Sequence, residues 1–308
     1  VVEASLYHDS LVILESLKKD DKKTGNSLHN HLTANTPSSL KNRFPSIKII
    51  YKEINNSSEF NKYLSNVLES EKIQCPIIHI EAHGSNDGGV FRLVFADSSD
   101  IGADKLGDLF RQINIKTNFN FIVSMAACYG EEMIFEFLRS VVSDKIIPFF
   151  SVIGAYKKLM PNEIEDFYIN FYDLYFGNQN ALESRHTDVD KLKKKLATSF
   201  PKFYIIDILE IVAVSLRAYY KNECTPDKLE MRKIKTQEGL LDETMLIITK
   251  DKISDFAAQN NTEEKVINRK IATLLAFDSV KGNRERFKDI NYINILDAII
   301  PKLGCKQK

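Results

Sequence analysis

Apolar positions along the chain fall into two kinds of run. Short, nearly continuous stretches at 47–54 (IKIIYKEI), 77–83 (IIHIEAH), 91–97 (FRLVFAD), 119–127 (FNFIVSMAA) and 146–155 (IIPFFSVIGA) read as strands. Stretches with apolar residues three and four apart read as helices: 57–71 through Phe60, Tyr63, Leu64 and Leu68, 102–114 through Leu106, Leu109 and Phe110, and 131–144 through Ile134, Phe137, Leu138 and Val141. Serines before Phe60 are suited to cap the first of these. A strand over VVEASL and a short helix near Leu11 to Leu17 complete the N-terminal part. Residues 18–46 are polar, carry Pro37 and Pro45, and read as a long loop.

Strands alternating with helices predict an α/β fold with a mostly parallel sheet flanked by helices. The continuous apolar character of 77–82 and 121–127 fits strands covered on both faces. From about 162 onward the pattern is helical, over 161–177, 188–200, 204–223, 263–280 and 293–303. The change falls between 155 and 185. It divides the chain into a core of 1–180 and a helical C-terminal extension of 181–308, expected to pack on that core.

Charge narrows the function classes. The 42 basic and 42 acidic residues cancel, so no global field draws the chain to nucleic acid or to an anionic membrane. The apolar stretch at 203–220 contains Asp207, Glu210 and Arg217 and reads as an amphipathic core helix, not a membrane span. Cys75, Cys128, Cys224 and Cys305 are far apart and form no CxxC pair, which argues against structural zinc and a disulfide framework. Free thiols and the absence of a signal-peptide pattern suit a cytoplasmic protein. The terminal CKQK lacks the aliphatic residues of a prenylation box.

Two strands end on residues with chemistry. IIHIEAHGS closes on His83 and Gly84, and FIVSMAACYGEE runs through Ala126 to Cys128, 45 positions later. In open parallel sheets, catalytic groups gather at the carboxyl ends of the strands. A thiol becomes a strong nucleophile as thiolate, and a nearby imidazole can take or share its proton. The N–H groups of Gly84 and Cys128 are candidate donors to an oxyanion. A helix starting near Glu131 would favour a thiolate through its N-terminal dipole, while Glu131 and Glu132 oppose that locally.

HIEAHGS followed by VSMAACYGEE resembles the caspase-like cysteine peptidases, over roughly residues 45–180. AACYG is not the QACRG of animal caspases, and the bacterial caspase-like and CHAT-type branch fits best. The resemblance implies a caspase-haemoglobinase-like sheet, His83 as base or proton donor, Cys128 as nucleophile, Gly84 and Cys128 as oxyanion donors, and no metal or organic cofactor. It also implies a protein substrate, an activating partner or ligand, and roles in anti-phage defence or regulated cell death, such as cutting a gasdermin-like pore former. Relatives place glutamine or aspartate two residues before the cysteine, where it shapes the pocket for the residue preceding the cut. Ala126 stands there in this chain, so Ala126, Glu131 and Glu132 are the candidate substrate-binding residues, and strict aspartate specificity is not expected.

Other readings of the same residues are weaker. HIEAH is not the helical HExxH of zinc peptidases, and on a strand His79 and His83 share a face roughly 13 Å apart, too far to grip one ion. His79 then packs in the sheet or supports His83. His29 and His31 fall in the expected polar loop as solvated residues. GSNDG puts Asn86 where a serine hydrolase needs its nucleophile. KLKKK at 191–195 reads as a wet helix face. The alternative to an enzyme is a catalytically silent scaffold or interaction protein on the same fold.

Overall fold

The computed structural model describes residues 8–87, 90–128, 133–134, 136–137, 146–155, 158–177, 189–208, 210–212, 271–276, 279–280, 282–283 and 287. The chain divides into two compact units, one of Val1–Phe137 with Ile147–Ile208 and one of Leu138–Ile146 with Leu209–Lys308.

The first unit opens with β1 (Ser10–Ser16), every residue of which is buried. The sequence pattern predicts a helix here. Leu11, Val12, Ile13 and Leu14 are apolar at every position, so no face is left for water, and the segment runs as a strand covered on both sides. The predicted strand over VVEASL lies almost wholly outside the described residues.

The expected loop at 18–46 contains α1 (Thr24–Thr33) and α2 (Leu40–Arg43). Leu28 and Leu32, four apart, are the buried stripe of α1, and Leu40, Phe44 and Ile47 bury the segment that follows. Such a stripe is too sparse to stand out in a polar sequence. His29 and His31 are therefore helical: His29 packs its ring against Tyr51, and His31 lies 3.6 Å from Asp173.

Next come β2 (Lys48–Glu53), α3 (Ser57–Glu69) and β3 (Pro76–Asp87). Asn56 caps α3, accepting the Glu59 N–H, in place of the serines that the sequence suggests. β4 (Val90–Val94), β5 (Asp100–Gly102) and α4 (Ala103–Lys116) follow, then β6 (Ile122–Ala126) and β7 (Ser151–Ala155). The helix expected at 131–144 is described at four positions, all helical. The unit closes with α5 (Pro161–Gly177), α6 (Val189–Ser199) and β8 (Phe203–Asp207).

The main sheet has the order β2-β1-β3-β6-β7-β8. Its pairs are parallel except β7 with β8. β8 replaces the first turns of the helix expected from residue 203. Phe203, Tyr204, Ile205 and Ile206 are aromatic or β-branched, and the antiparallel edge is open to them. Phe203 stacks on Phe167 of α5 with centroids 3.7 Å apart. The two faces of the sheet are covered differently. Leu11, Ile13, Ile77, Ile122 and Ile153 meet the apolar stripe of α1 and the aromatic ladder of α5, made of Phe167, Tyr168, Phe171, Tyr172, Tyr175 and Phe176. Each of these rings is essentially buried, worth roughly 1.5–3 kcal/mol for a fully buried large side chain. Toward the opposite face, Phe110 of α4 meets Phe121 beside β6 at 5.5 Å, and α4 packs on α3.

In the second unit the described residues include a buried set with Leu274, Leu275, Val280 and Phe287, and Asn283 donates to the Leu275 carbonyl at 2.8 Å. The predicted helix at 263–280 is described over its last part, and that at 293–303 lies outside the described residues.

Candidate active site

β3 is long because it serves two sheets. Its first half pairs in parallel with β1 and β6, and its second half pairs with β4 in the antiparallel direction, His83 opposite Val94 and Gly84 opposite Leu93. The register of the parallel half is the key to the site. Glu81 lies opposite Ala126, the last residue of β6. Two residues further on each chain come His83 and Cys128. Side chains two apart along a strand point to the same side, so His83 continues the row of His79 and Glu81.

Gly84 seals the approach. An ideal Cβ on Gly84 would sit 1.8 Å from the carbonyl oxygen of Cys128, 2.8 Å from its carbonyl carbon and 3.1 Å from its nitrogen. Only a residue without a side chain fits, which is the physical reason for glycine immediately after His83. The main chains of the two strand ends are thereby in contact at the carboxyl edge of the sheet. His83 is 44% exposed at its side chain, and Cys128 is a half-buried free thiol.

Among the described residues, His83 finds its side-chain partner in the loop between β1 and α1. Its Nε2 lies 2.8 Å from Asp21 Oδ2. The same oxygen accepts the Lys18 N–H at 2.8 Å, while Asp21 N–H donates to the Lys18 carbonyl at 3.1 Å. Partial burial pushes the Asp21 carboxyl up, but the bonds from His83 and Lys18 outweigh it and hold the carboxyl below its ordinary value.

Beneath the strand ends lies a buried polar row. Glu15 of β1, Glu81 of β3 and Ala126 of β6 are in register across three adjacent strands. All three are buried. Glu15 accepts from Gly25 N–H at 2.7 Å and from Tyr51 Oη at 2.6 Å. Glu81 accepts from Thr24 Oγ1 at 2.7 Å and lies 2.9 Å from His79 Nε2. His79 Nδ1 is 3.1 Å from the Tyr172 hydroxyl, which donates to Ser124 Oγ at 3.0 Å. Burial raises the Glu15 carboxyl above its ordinary value, and neighbouring Glu81 adds to that; the Tyr51 and Gly25 bonds oppose it. Burial and the Glu15 bond push the Tyr51 phenol up. Gly25 lets α1 approach this closely, since a Cβ there would meet Glu81 Cγ at 2.9 Å.

The candidate residues are thus distributed unevenly. His83, Gly84, Ala126 and Cys128 converge at the ends of β3 and β6. Ala126 is 3% exposed and packs in the core cluster. Glu131 and Glu132 lie outside the described residues. Arg92 pairs with Asp100 at 2.6 Å. Among the described residues no cluster of three or more His, Cys, Asp or Glu is placed to hold a metal, and no helix is long and apolar enough to cross a membrane.

Sequence reasoning misses Asp21, Glu15, Tyr51 and Tyr172. Reading Leu11–Leu14 as a buried strand would expose the signal: the acidic pair Asp20–Asp21 then follows a parallel strand at the sheet's carboxyl edge, beside the strand that carries His83.

No family model matches the chain, and no curated protein matches it. Among solved structures it is similar to the Drosophila initiator caspase Dronc, at 12% identity and a TM-score of 0.42, over 68% of this chain and 84% of that one.

Proposed function

We propose that this chain is a cysteine endopeptidase that cleaves a protein substrate, with Cys128 as nucleophile and His83 as its proton-transfer partner. The observation that carries the reading is the contact of Gly84 with the Cys128 main chain at the ends of two adjacent parallel strands. That contact brings the backbone positions next to a half-exposed imidazole and a half-buried free thiol to one edge of the sheet.

The chemistry follows from those groups. The Cys128 proton passes to His83, and the sulfur attacks the substrate carbonyl. Backbone N–H groups at Gly84 and Cys128 bind the developing oxyanion. The scissile C–N bond breaks as His83 gives its proton to the leaving amine. Water, deprotonated by His83, then hydrolyses the thioester. Neither a metal nor an organic cofactor is required by any of these steps.

HIEAHGS and VSMAACYGEE support placing the chain with the bacterial caspase-like and CHAT-type proteases. On that footing it is a cytoplasmic protease switched on by a partner or ligand in anti-phage defence or regulated cell death, with a gasdermin-like pore former as one class of substrate. A peptidyl electrophile tests the catalytic assignment. It should modify Cys128, seen by mass spectrometry, and His83→Ala should suppress the reaction. Equal modification of Cys75 and Cys128 would identify a silent scaffold instead.

A further inference from the structure

We propose that Asp21 is a positioning residue for His83, holding Nε2–H so that Nδ1 is the ring nitrogen that exchanges a proton with Cys128. The proposal rests on the peptidase reading above and adds to it a third member, supplied by a loop that precedes the strand of His83.

Three observations carry it. The Nε2–Oδ2 distance is 2.8 Å, a full hydrogen bond, across 62 residues of sequence. The carboxylate is built into place: the Lys18 N–H donates to the same Oδ2, and the Asp21 N–H closes the turn on the Lys18 carbonyl. The loop itself is fastened on both sides. Lys22 Nζ bonds Asn162 Oδ1 at 2.8 Å and Glu165 on α5, and Lys23 Nζ bonds the Leu17 carbonyl at 2.7 Å. A turn anchored this way presents one carboxylate oxygen at a fixed point beside His83.

The consequence is a choice of tautomer. A carboxylate can only accept, so the nitrogen facing Asp21 carries the hydrogen and the other carries the lone pair. When that lone pair takes the Cys128 proton, the imidazolium keeps an anion at 2.8 Å and is stabilised by it. The proton leaves again from Nδ1 to the departing amine, and Asp21 stays ionised throughout.

The test uses the full chain, iodoacetamide as probe, and mass spectrometry of the Cys128 peptide. Wild-type Cys128 should be alkylated at neutral pH clearly faster than free cysteine. Asp21→Asn should slow it roughly tenfold, because the amide can offer either atom to the ring and the tautomer is no longer fixed. Asp21→Glu should restore part of the rate, and thermal melting should show all three chains folded. In parallel, long-range nitrogen–proton spectra of labelled histidine should show His83 carrying hydrogen on Nε2 in the wild type, with that preference lost in Asp21→Asn. Fast alkylation in the wild type and an equal rate in Asp21→Asn would overturn the Asp21 role and leave the dyad standing. Wild-type Cys128 no more reactive than free cysteine would overturn both.

Discussion

Gly84 lies against Cys128 so closely that no side chain fits between them, with 1.8 Å from an ideal Cβ to the Cys128 carbonyl oxygen. The relationship turns two separate strand ends into one site. It predicts that Gly84→Ala forces the strands apart, at a cost of about 1–3 kcal/mol, as for other overpacked sites. Reactivity of Cys128 should fall with it. A Gly84→Ala chain that melts at the wild-type temperature and keeps full reactivity would show that the contact does not shape the site.

His79 and His83 should separate cleanly by mutation. His79 is fully buried between Glu81 and Tyr172, so His79→Ala leaves a cavity and strips Glu81 of a partner. The expected loss is about 3 kcal/mol, read as a lower denaturation midpoint. His83→Ala removes a half-exposed ring and should cost little stability while abolishing reactivity. The opposite pattern would move the catalytic histidine to position 79.

Much of this site is legible in the sequence. The strand ends at His83 and Cys128 stand out because each continuous apolar run stops on a chemically capable residue. The flanking strand β1 is not legible, because Leu11–Leu14 is too short for periodicity to tell strand from helix. Once β1 is misread, its loop loses its address at the sheet edge and Asp21 goes unseen. α1 is hidden for a different reason: Leu28 and Leu32 make a thin stripe, and what binds the helix at its N-terminus is polar, Glu15 with the Gly25 N–H and Glu81 with Thr24. β8 is hidden because tertiary pairing with β7 overrides the helical spacing that continues beyond it.

Acid should weaken the fold through His8. Its ring is buried, bonded to the Asn120 carbonyl and the Tyr175 hydroxyl at 2.8 Å each, and burial lowers its pKa from 6.5 to about 4. The unfolded chain therefore takes up this proton more readily. The stabilisation is complete above pH 6.5 and is lost as pH falls from 6.5 toward 4, by about 1.4 kcal/mol per unit and on the order of 3 kcal/mol in all. Denaturant titrations at pH 7 and pH 4.5 should show a steeper loss for the wild type than for His8→Gln. Equal losses would mean that His8 does not carry this part of the acid response.

Specificity should exclude aspartate. If the stretch around Ala126 shapes the pocket for the residue preceding the cut, as the resemblance implies, it offers an aspartate no cation: Ala126 is buried and uncharged, and its register neighbours Glu81 and Glu15 are both acidic. Burying a third carboxylate beside two others needs a cation or several donors. Arg92, on β4, is already paired with Asp100. An aspartate-based caspase inhibitor should therefore react with Cys128 more slowly than analogues with alanine or lysine at the same position. The reverse order would overturn this account of the pocket.

The most direct measurement is cleavage of a diverse peptide library by the full chain and by Cys128→Ala, with products identified by mass spectrometry and both chains checked for folding. The account predicts a defined set of cuts by the wild type and none by the variant, because only one sulfur has been removed from a half-buried position. Cuts of the same kind and rate by Cys128→Ala would contradict it.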